Sequence, residues 1–164
     1  QHSPVLCKFT ITAAEDELAK QIEPHAPSSS QRFEAMAKLS QAGLFTGVLL
    51  MPVLPFITDN RKNIHQILLQ AKAAGAQFVY CSYGMTLRDR QRDYYYQCLD
   101  VQYPGLKEKY MRRYGSRYSC ACRNPYELKA MIETECRQLG MLTQMKAIIE
   151  AYRFSRAPQQ ISLF

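Results

Sequence analysis

Lys8-Phe9-Thr10-Ile11-Thr12, Glu23-Pro24, Ser28 and Arg32, Ala42-Gly43, and finally Met51-Pro52-Val53-Leu54-Pro55: residues 8–55 decide the fold of this chain. Residues 5–12 are apolar and β-branched and predict a buried strand. Residues 13–22 predict a short helix, with Glu15, Asp16 and Glu17 near its start, as the helix dipole favours. Glu23-Pro24 ends it, because the residue before a proline is pushed out of the α region. After a loop over 25–30, Ser29 or Ser30 is placed to cap a second helix. Phe33, Met36, Ala37 and Leu39 then recur at helical spacing, and Gly43 stops the run. Residues 44–51 predict a second buried strand.

The same unit follows once more. Thr58 or Asp59 is the expected cap, Ile64, Ile67, Leu68 and Ala71 the apolar stripe, Gly75 the stop, and residues 77–82 the strand. Strand, helix, strand, helix, strand implies parallel pairing with right-handed crossovers. Both helices reach their strand through Ala-Gly. The expected fold class is α/β: the C-terminal part of a partial (β/α)6 TIM-like barrel, since three strands cannot close one, followed by a mainly helical segment. Further helices are expected over 89–101, 104–114, 125–139 and 143–153, with Pro104 and Pro125 in first turns. Residues 115–124 read as irregular, with room for a short hairpin. The organisation is then 1–86, the barrel units; 87–154, a basic, Tyr-rich helical extension of the same domain; and 155–164, a polar tail.

The 164 residues suffice for one domain with a core, and the 47% hydrophobic content excludes wholesale disorder. The chain starts at Gln1 with a strand pattern close behind, which reads as a cut through a longer protein whose missing strands would leave the 5–12 strand as a bare parallel edge. No basic segment precedes an apolar run, and the stretch 44–57 is too short and too broken for a bilayer span. A soluble, cytoplasmic protein without membrane partners is expected. The six cysteines, Cys7, Cys81, Cys98, Cys120, Cys122 and Cys136, are then reduced and mostly small core residues. Cys120-Ala-Cys122, with Cys136, is a candidate metal group, but it lacks the two-pair spacing of a zinc site.

Net charge is +7, and the excess is concentrated: residues 88–123 carry nine basic side chains against four acidic ones. Eight of the eleven tyrosines lie between Tyr94 and Tyr126. Basic residues interleaved with aromatics suit a polyanion with stackable bases, and Arg88, Arg90, Arg112, Arg113 and Arg117 are the nucleic-acid candidates. The alternative is a solvated helical face whose tyrosines pack on the core.

In parallel α/β folds ligands gather at the carboxyl ends of the strands. Those ends here are Thr10 and Thr12, Met51 and Pro52, and Ser82, Tyr83 and Gly84. Their hydroxyls and backbone groups suit a ribose or an amino-acid carboxylate; ordinary strand-end polarity is the competing reading. The sequence has no glycine-rich phosphate loop and no nucleophile elbow. His2, His25 and His65 fall in a terminus, a loop and a helix.

Phe9-Thr10-Ile11-Thr12, Glu23-Pro24, Ser28 to Ser30 with Arg32, Ala42-Gly43 and Met51-Pro52-Val53, in this order, resemble the radical S-adenosylmethionine enzymes related to spore photoproduct lyase, the DNA repair photolyase-like group. The likeness covers residues 5–84 and extends more weakly to residue 153. It implies a partial barrel holding a [4Fe-4S] cluster and S-adenosylmethionine, whose reductive cleavage gives a 5′-deoxyadenosyl radical that abstracts a substrate hydrogen. By position it implies that Thr10, Thr12, Met51 and Pro52 lie at the cofactor, and Ser82, at the end of the third strand, is expected there with them. Glu23 and Arg32 match family motif positions, either as ligand residues or as a structural pair tying loop to helix. The family holds its cluster on Cys-x3-Cys-x2-Cys. That spacing is absent from this chain, so the chain does not do the radical chemistry alone and the metal lies on the missing N-terminal half of the barrel.

The terminal Gln160-Ile161-Ser162-Leu163-Phe164 resembles the pentapeptide by which bacterial repair and replication proteins bind the sliding clamp, with Gln160 as polar anchor and Leu163 and Phe164 as apolar plugs. A tail that docks on its own domain is the alternative. The leading expectation is a radical enzyme fragment acting on nucleic acid. Its rivals are a non-enzymatic module binding nucleic acid and clamp, and another α/β barrel enzyme.

Overall fold

Strand β1 (Leu6–Thr10) lies beside β2 (Phe45–Leu50), and β2 beside β3 (Phe78–Cys81), all parallel. This computed structural model describes residues 5–154. Between the strands run α1 (Asp16–Ile22), α2 (Ser29–Gln41) and α3 (Arg61–Ala73). The register sets Phe9 against Val48 and Val48 against Val79. That face packs on Phe33 and Met36 of α2 and Ile64, Ile67 and Leu68 of α3. Each such Ile or Leu, fully buried, contributes about 1.5–3 kcal/mol.

The opposite face carries Lys8, Thr10, Leu49 and Tyr80, which are exposed or half-buried. Near its amino end Phe45 and Phe78 stack at 5.6 Å under Ile148 of α7 (Met145–Phe154). Strand β1 is therefore not the buried strand its composition suggests. It is the sheet edge, and its alternate residues look onto an uncovered face.

The helix-to-strand connection occurs three times. Leu44 N–H donates to Leu39 O, Ala76 N–H to Ala71 O and Met141 N–H to Cys136 O, each across a glycine at positive φ: Gly43 at 79°, Gly75 at 80° and Gly140 at 68°. This is the left-handed helix stop that glycine enters without a Cβ penalty. The third copy follows α6 (Pro125–Gln138), with Pro125 in its first turn. It delivers Leu142 to the free edge of β3, where Phe78 and Leu142 form a parallel bridge. The chain thus begins a fourth parallel position.

An insertion separates β3 from α6: β4 (Gly84–Thr86), α4 (Asp89–Gln102), α5 (Leu106–Tyr114) and β5 (Ser119–Ala121). Strands β4 and β5 pair antiparallel. The short hairpin for which 115–124 has room is therefore not formed within the segment: β5 is half of a non-local ribbon. Helix α5 starts after Gly105, at φ 80°, so Pro104 lies outside its first turn. Leu87, Leu99, Leu106 and Cys120 pack with Tyr96, Tyr110 and Tyr114 into a second core.

Two helix caps differ from expectation. Ser28 caps α2 in a capping box with Gln31, while Ser29 turns inward to donate to Ala13 O at 2.7 Å. Asn60 caps α3, while Thr58 and Asp59 are buried and hold the preceding loop: Thr58 Oγ1 accepts from Leu54 N–H at 2.8 Å and Asp59 Oδ1 from Phe56 N–H at 2.8 Å. Among the described residues no helix is long and apolar enough to cross a membrane.

Candidate functional site at the carboxyl ends of the strands

Strand β2 ends in a cis Met51-Pro52 bond, and β3 runs through Ser82 into the ribbon. Between them lies an open cleft of about 470 Å³. Met51, Pro52, Met85 and Ala121 form its apolar wall, and Ser82, Tyr83, Thr86 and Ser119 supply hydroxyls. Three residues expected at the cofactor, Met51, Pro52 and Ser82, thus meet. The other half of the cleft comes from β4 and β5, which the sequence reading did not identify as a strand pair.

Thr10 and Thr12 do not line this cleft. Thr10 is exposed, and its carbonyl accepts from Arg32 Nη1 at 2.6 Å. Arg32 Nη2 reaches Glu23 Oε2 at 2.6 Å, so the two motif residues form an ion pair that clamps the end of β1 to α2. Thr12 is buried, and its carbonyl accepts from Asn63 Nδ2 at 3.0 Å. Asn63 also donates to Thr58 O at 3.1 Å and accepts from Ala14 N–H at 2.8 Å. It joins the end of β1 to the loop after β2, a role that an asparagine inside an apolar helix stripe does signal.

That loop is fastened to the insertion. Tyr110 donates its hydroxyl to Pro55 O at 2.6 Å and receives one from Tyr95 at 3.0 Å. Burial pushes the Tyr95 phenol up to about 12 and raises Tyr110 further, so both remain donors. The Asp59 carboxylate is fully buried and meets the Arg123 guanidinium at 3.0 Å, and that guanidinium lies over Phe56, 5.4 Å from its ring centre.

The tyrosine-rich segment divides. Tyr95, Tyr96, Tyr103, Tyr110 and Tyr114 pack in or against the second core, whereas Tyr94, Tyr118 and Tyr126 are exposed. Core packing accounts for the first five. Arg88, Arg90, Arg112, Arg113 and Arg117 are all exposed. Cys120 lies in the second core and Cys122 in the first with Cys136, so the candidate metal group does not assemble. Cys81, Cys122 and Cys136 are each pushed up to about 12 by burial. Among the described residues no group of three or more His, Cys, Asp or Glu side chains is placed to hold a metal. The clamp-like Gln160, Leu163 and Phe164 lie outside the described residues.

No family model matches the chain, and no solved structure does. The chain is 31% identical over 114 residues to an uncharacterized protein of Mycobacterium tuberculosis (strain ATCC 25618 / H37Rv), and equally to uncharacterized proteins of strain CDC 1551 / Oshkosh and of Mycobacterium bovis (strain ATCC BAA-935 / AF2122/97). The match covers 70% of this chain and 33% of each relative, so the chain spans about a third of the length of the curated relatives it matches.

Proposed function

We propose that this chain is the cofactor-holding wall of a radical S-adenosylmethionine enzyme of the photolyase-like group, built as part of a (β/α)6 barrel and acting on nucleic acid. The observation that supports this most is the convergence of Met51, Pro52 and Ser82 on one cleft at the carboxyl ends of two parallel strands. The uncovered sheet face with Lys8, Thr10 and Tyr80 is what a barrel interior would present, and Leu142 begins the next strand position.

The cleft residues fit the neutral adenosine half of the cofactor. The wall of Met51, Pro52 and Met85 offers an apolar surface to adenine, and Ser82, Thr86 and Ser119 offer hydroxyls to a ribose. No charged side chain lines the cleft, so the methionyl half takes its partners from elsewhere. When bound, S-adenosylmethionine supplies the precursor of a hydrogen-abstracting radical. The chain's own residues bind and orient it, and the Arg32 clamp fixes the neighbouring strand end. The described cysteines do not fit the iron-sulfur cluster, and no step is assigned to them.

The test uses the polypeptide that carries this chain in its gene, purified without oxygen. It should be brown, carry a Cys-x3-Cys-x2-Cys run, and form 5′-deoxyadenosine from S-adenosylmethionine under reduction. A colourless protein lacking that run removes the enzyme reading.

A further inference from the structure

Beside the cleft the β4–β5 ribbon continues past its paired residues. Thr86 opposes Ser119, and Leu87 N–H donates to Tyr118 O at 2.8 Å. Arg88 follows Leu87 on one strand, and Arg117 precedes Tyr118 on the other. Neither arginine has an ion-pair partner among the described residues. Both are exposed.

The backbone that presents them is pinned. Arg92, with a side chain only 13% exposed, donates through Nη2 to Leu87 O at 3.1 Å and to Ser116 O and Arg117 O at 2.9 Å each. Tyr118, which lies in sequence between Arg117 and the cleft residue Ser119, is 53% exposed. Hydrogen bonding from Thr86 and Arg88 holds its phenol below the ordinary value. Thr86 and Ser119 belong to both the ribbon and the cleft lining.

We propose that the end of this ribbon is a substrate-binding site for single-stranded nucleic acid: Arg88 and Arg117 together take a backbone phosphate, Tyr118 stacks one base, and the adjoining nucleotide enters the cleft. The proposal rests on the nucleic-acid part of the function proposed above and names its residues. A phosphate held by both guanidinium groups accepts forked hydrogen bonds from each. A single strand is favoured over a duplex because the aromatic surface recognises only an unstacked base.

The test is fluorescence anisotropy of a labelled single-stranded oligonucleotide against this chain over a salt series. Arg88→Ala with Arg117→Ala should flatten the slope of log affinity against log salt by about 0.7, the value for one phosphate contact on a single strand. Tyr118→Ala should weaken binding about 5- to 160-fold and Tyr118→Phe far less, the range expected for one stacked base. Arg61→Ala and Lys62→Ala, on exposed residues of α3, should leave binding unchanged. Arg88→Lys with Arg117→Lys keeps the charge and guards against a folding defect, and it should retain the salt slope. An unaltered slope in the double alanine variant, equal losses from the α3 variants, or no effect of Tyr118→Ala overturns the assignment. Titration with S-adenosylmethionine, done in parallel, separates the two claims: loss of cofactor binding with an intact ribbon effect removes the enzyme reading alone.

Discussion

Asn63 offers the sharpest test of how the strand ends are held. Its side chain is buried and makes three hydrogen bonds, with Ala14 N–H at 2.8 Å, Thr12 O at 3.0 Å and Thr58 O at 3.1 Å. Asn63→Ala leaves all three backbone groups without that partner. A stranded buried donor or acceptor costs about 1–3 kcal/mol, so the sum is about 3–6 kcal/mol once partial relaxation is allowed. That is a large share of the ~5–15 kcal/mol that holds a typical domain together. In urea, with a slope of about 1–3 kcal/mol/M, the midpoint should fall by roughly 1–6 M. Asn63→Asp should be no milder, because a carboxylate oxygen would face two carbonyls where an amide donated. Lys62→Ala, one residue earlier and exposed, should change the stability by no more than the ±0.5 kcal/mol usual for surface changes. If Asn63→Ala unfolds at the same urea concentration as Lys62→Ala, the claim that this amide ties β1 to the loop after β2 is wrong.

Three other outcomes follow from the packing. A Cβ at Gly47 would run into the ring and carbonyl of Phe78, so Gly47→Ala should cost at least the 1–3 kcal/mol of ordinary overpacking, read by thermal melting. Tyr110→Phe removes the donor to Pro55 O and the acceptor for Tyr95, and should cost about 1–2 kcal/mol while leaving the circular dichroism spectrum intact. Burial holds the Cys81, Cys122 and Cys136 thiols at about 12 against an ordinary 9.0. A raised folded-state value favours the protonated thiol in the fold. Their contribution is therefore fully present below about 9 and is lost as pH rises towards 12. Alkaline unfolding followed by tryptophan-free far-ultraviolet dichroism should show that loss, reduced in Cys136→Ala relative to its own neutral-pH stability.

The sequence pattern carried the parallel sheet well. Ile64, Ile67, Leu68 and Ala71, read as a stripe, are the buried residues of α3 with Asn63 added. The stops at Gly43 and Gly75 are where the helix ends fall, and the third stop, at Gly140, was legible by the same rule but preceded only a bridge at Leu142 instead of a strand. The ribbon escaped because each strand has three residues and the partners lie more than thirty positions apart, so neither periodicity nor a turn signal marks them. Caps were displaced because several hydroxyl and amide side chains compete at each helix start. Ser28 wins through Gln31, a capping-box spacing visible in the sequence. The tyrosines show the limit of composition: the same residue type serves the second core at Tyr110 and faces solvent at Tyr118.

The central claim is that the cleft between Met51-Pro52 and the ribbon receives the adenosine half of S-adenosylmethionine. Nuclear magnetic resonance titration of the isotope-labelled chain with S-adenosylmethionine tests it directly. The account predicts saturable amide shifts at Met51, Ser82, Gly84, Thr86 and Ser119, with Thr12 and the α3 residues unmoved. Saturable shifts centred elsewhere, or none at the cleft while the chain stays folded, would contradict it.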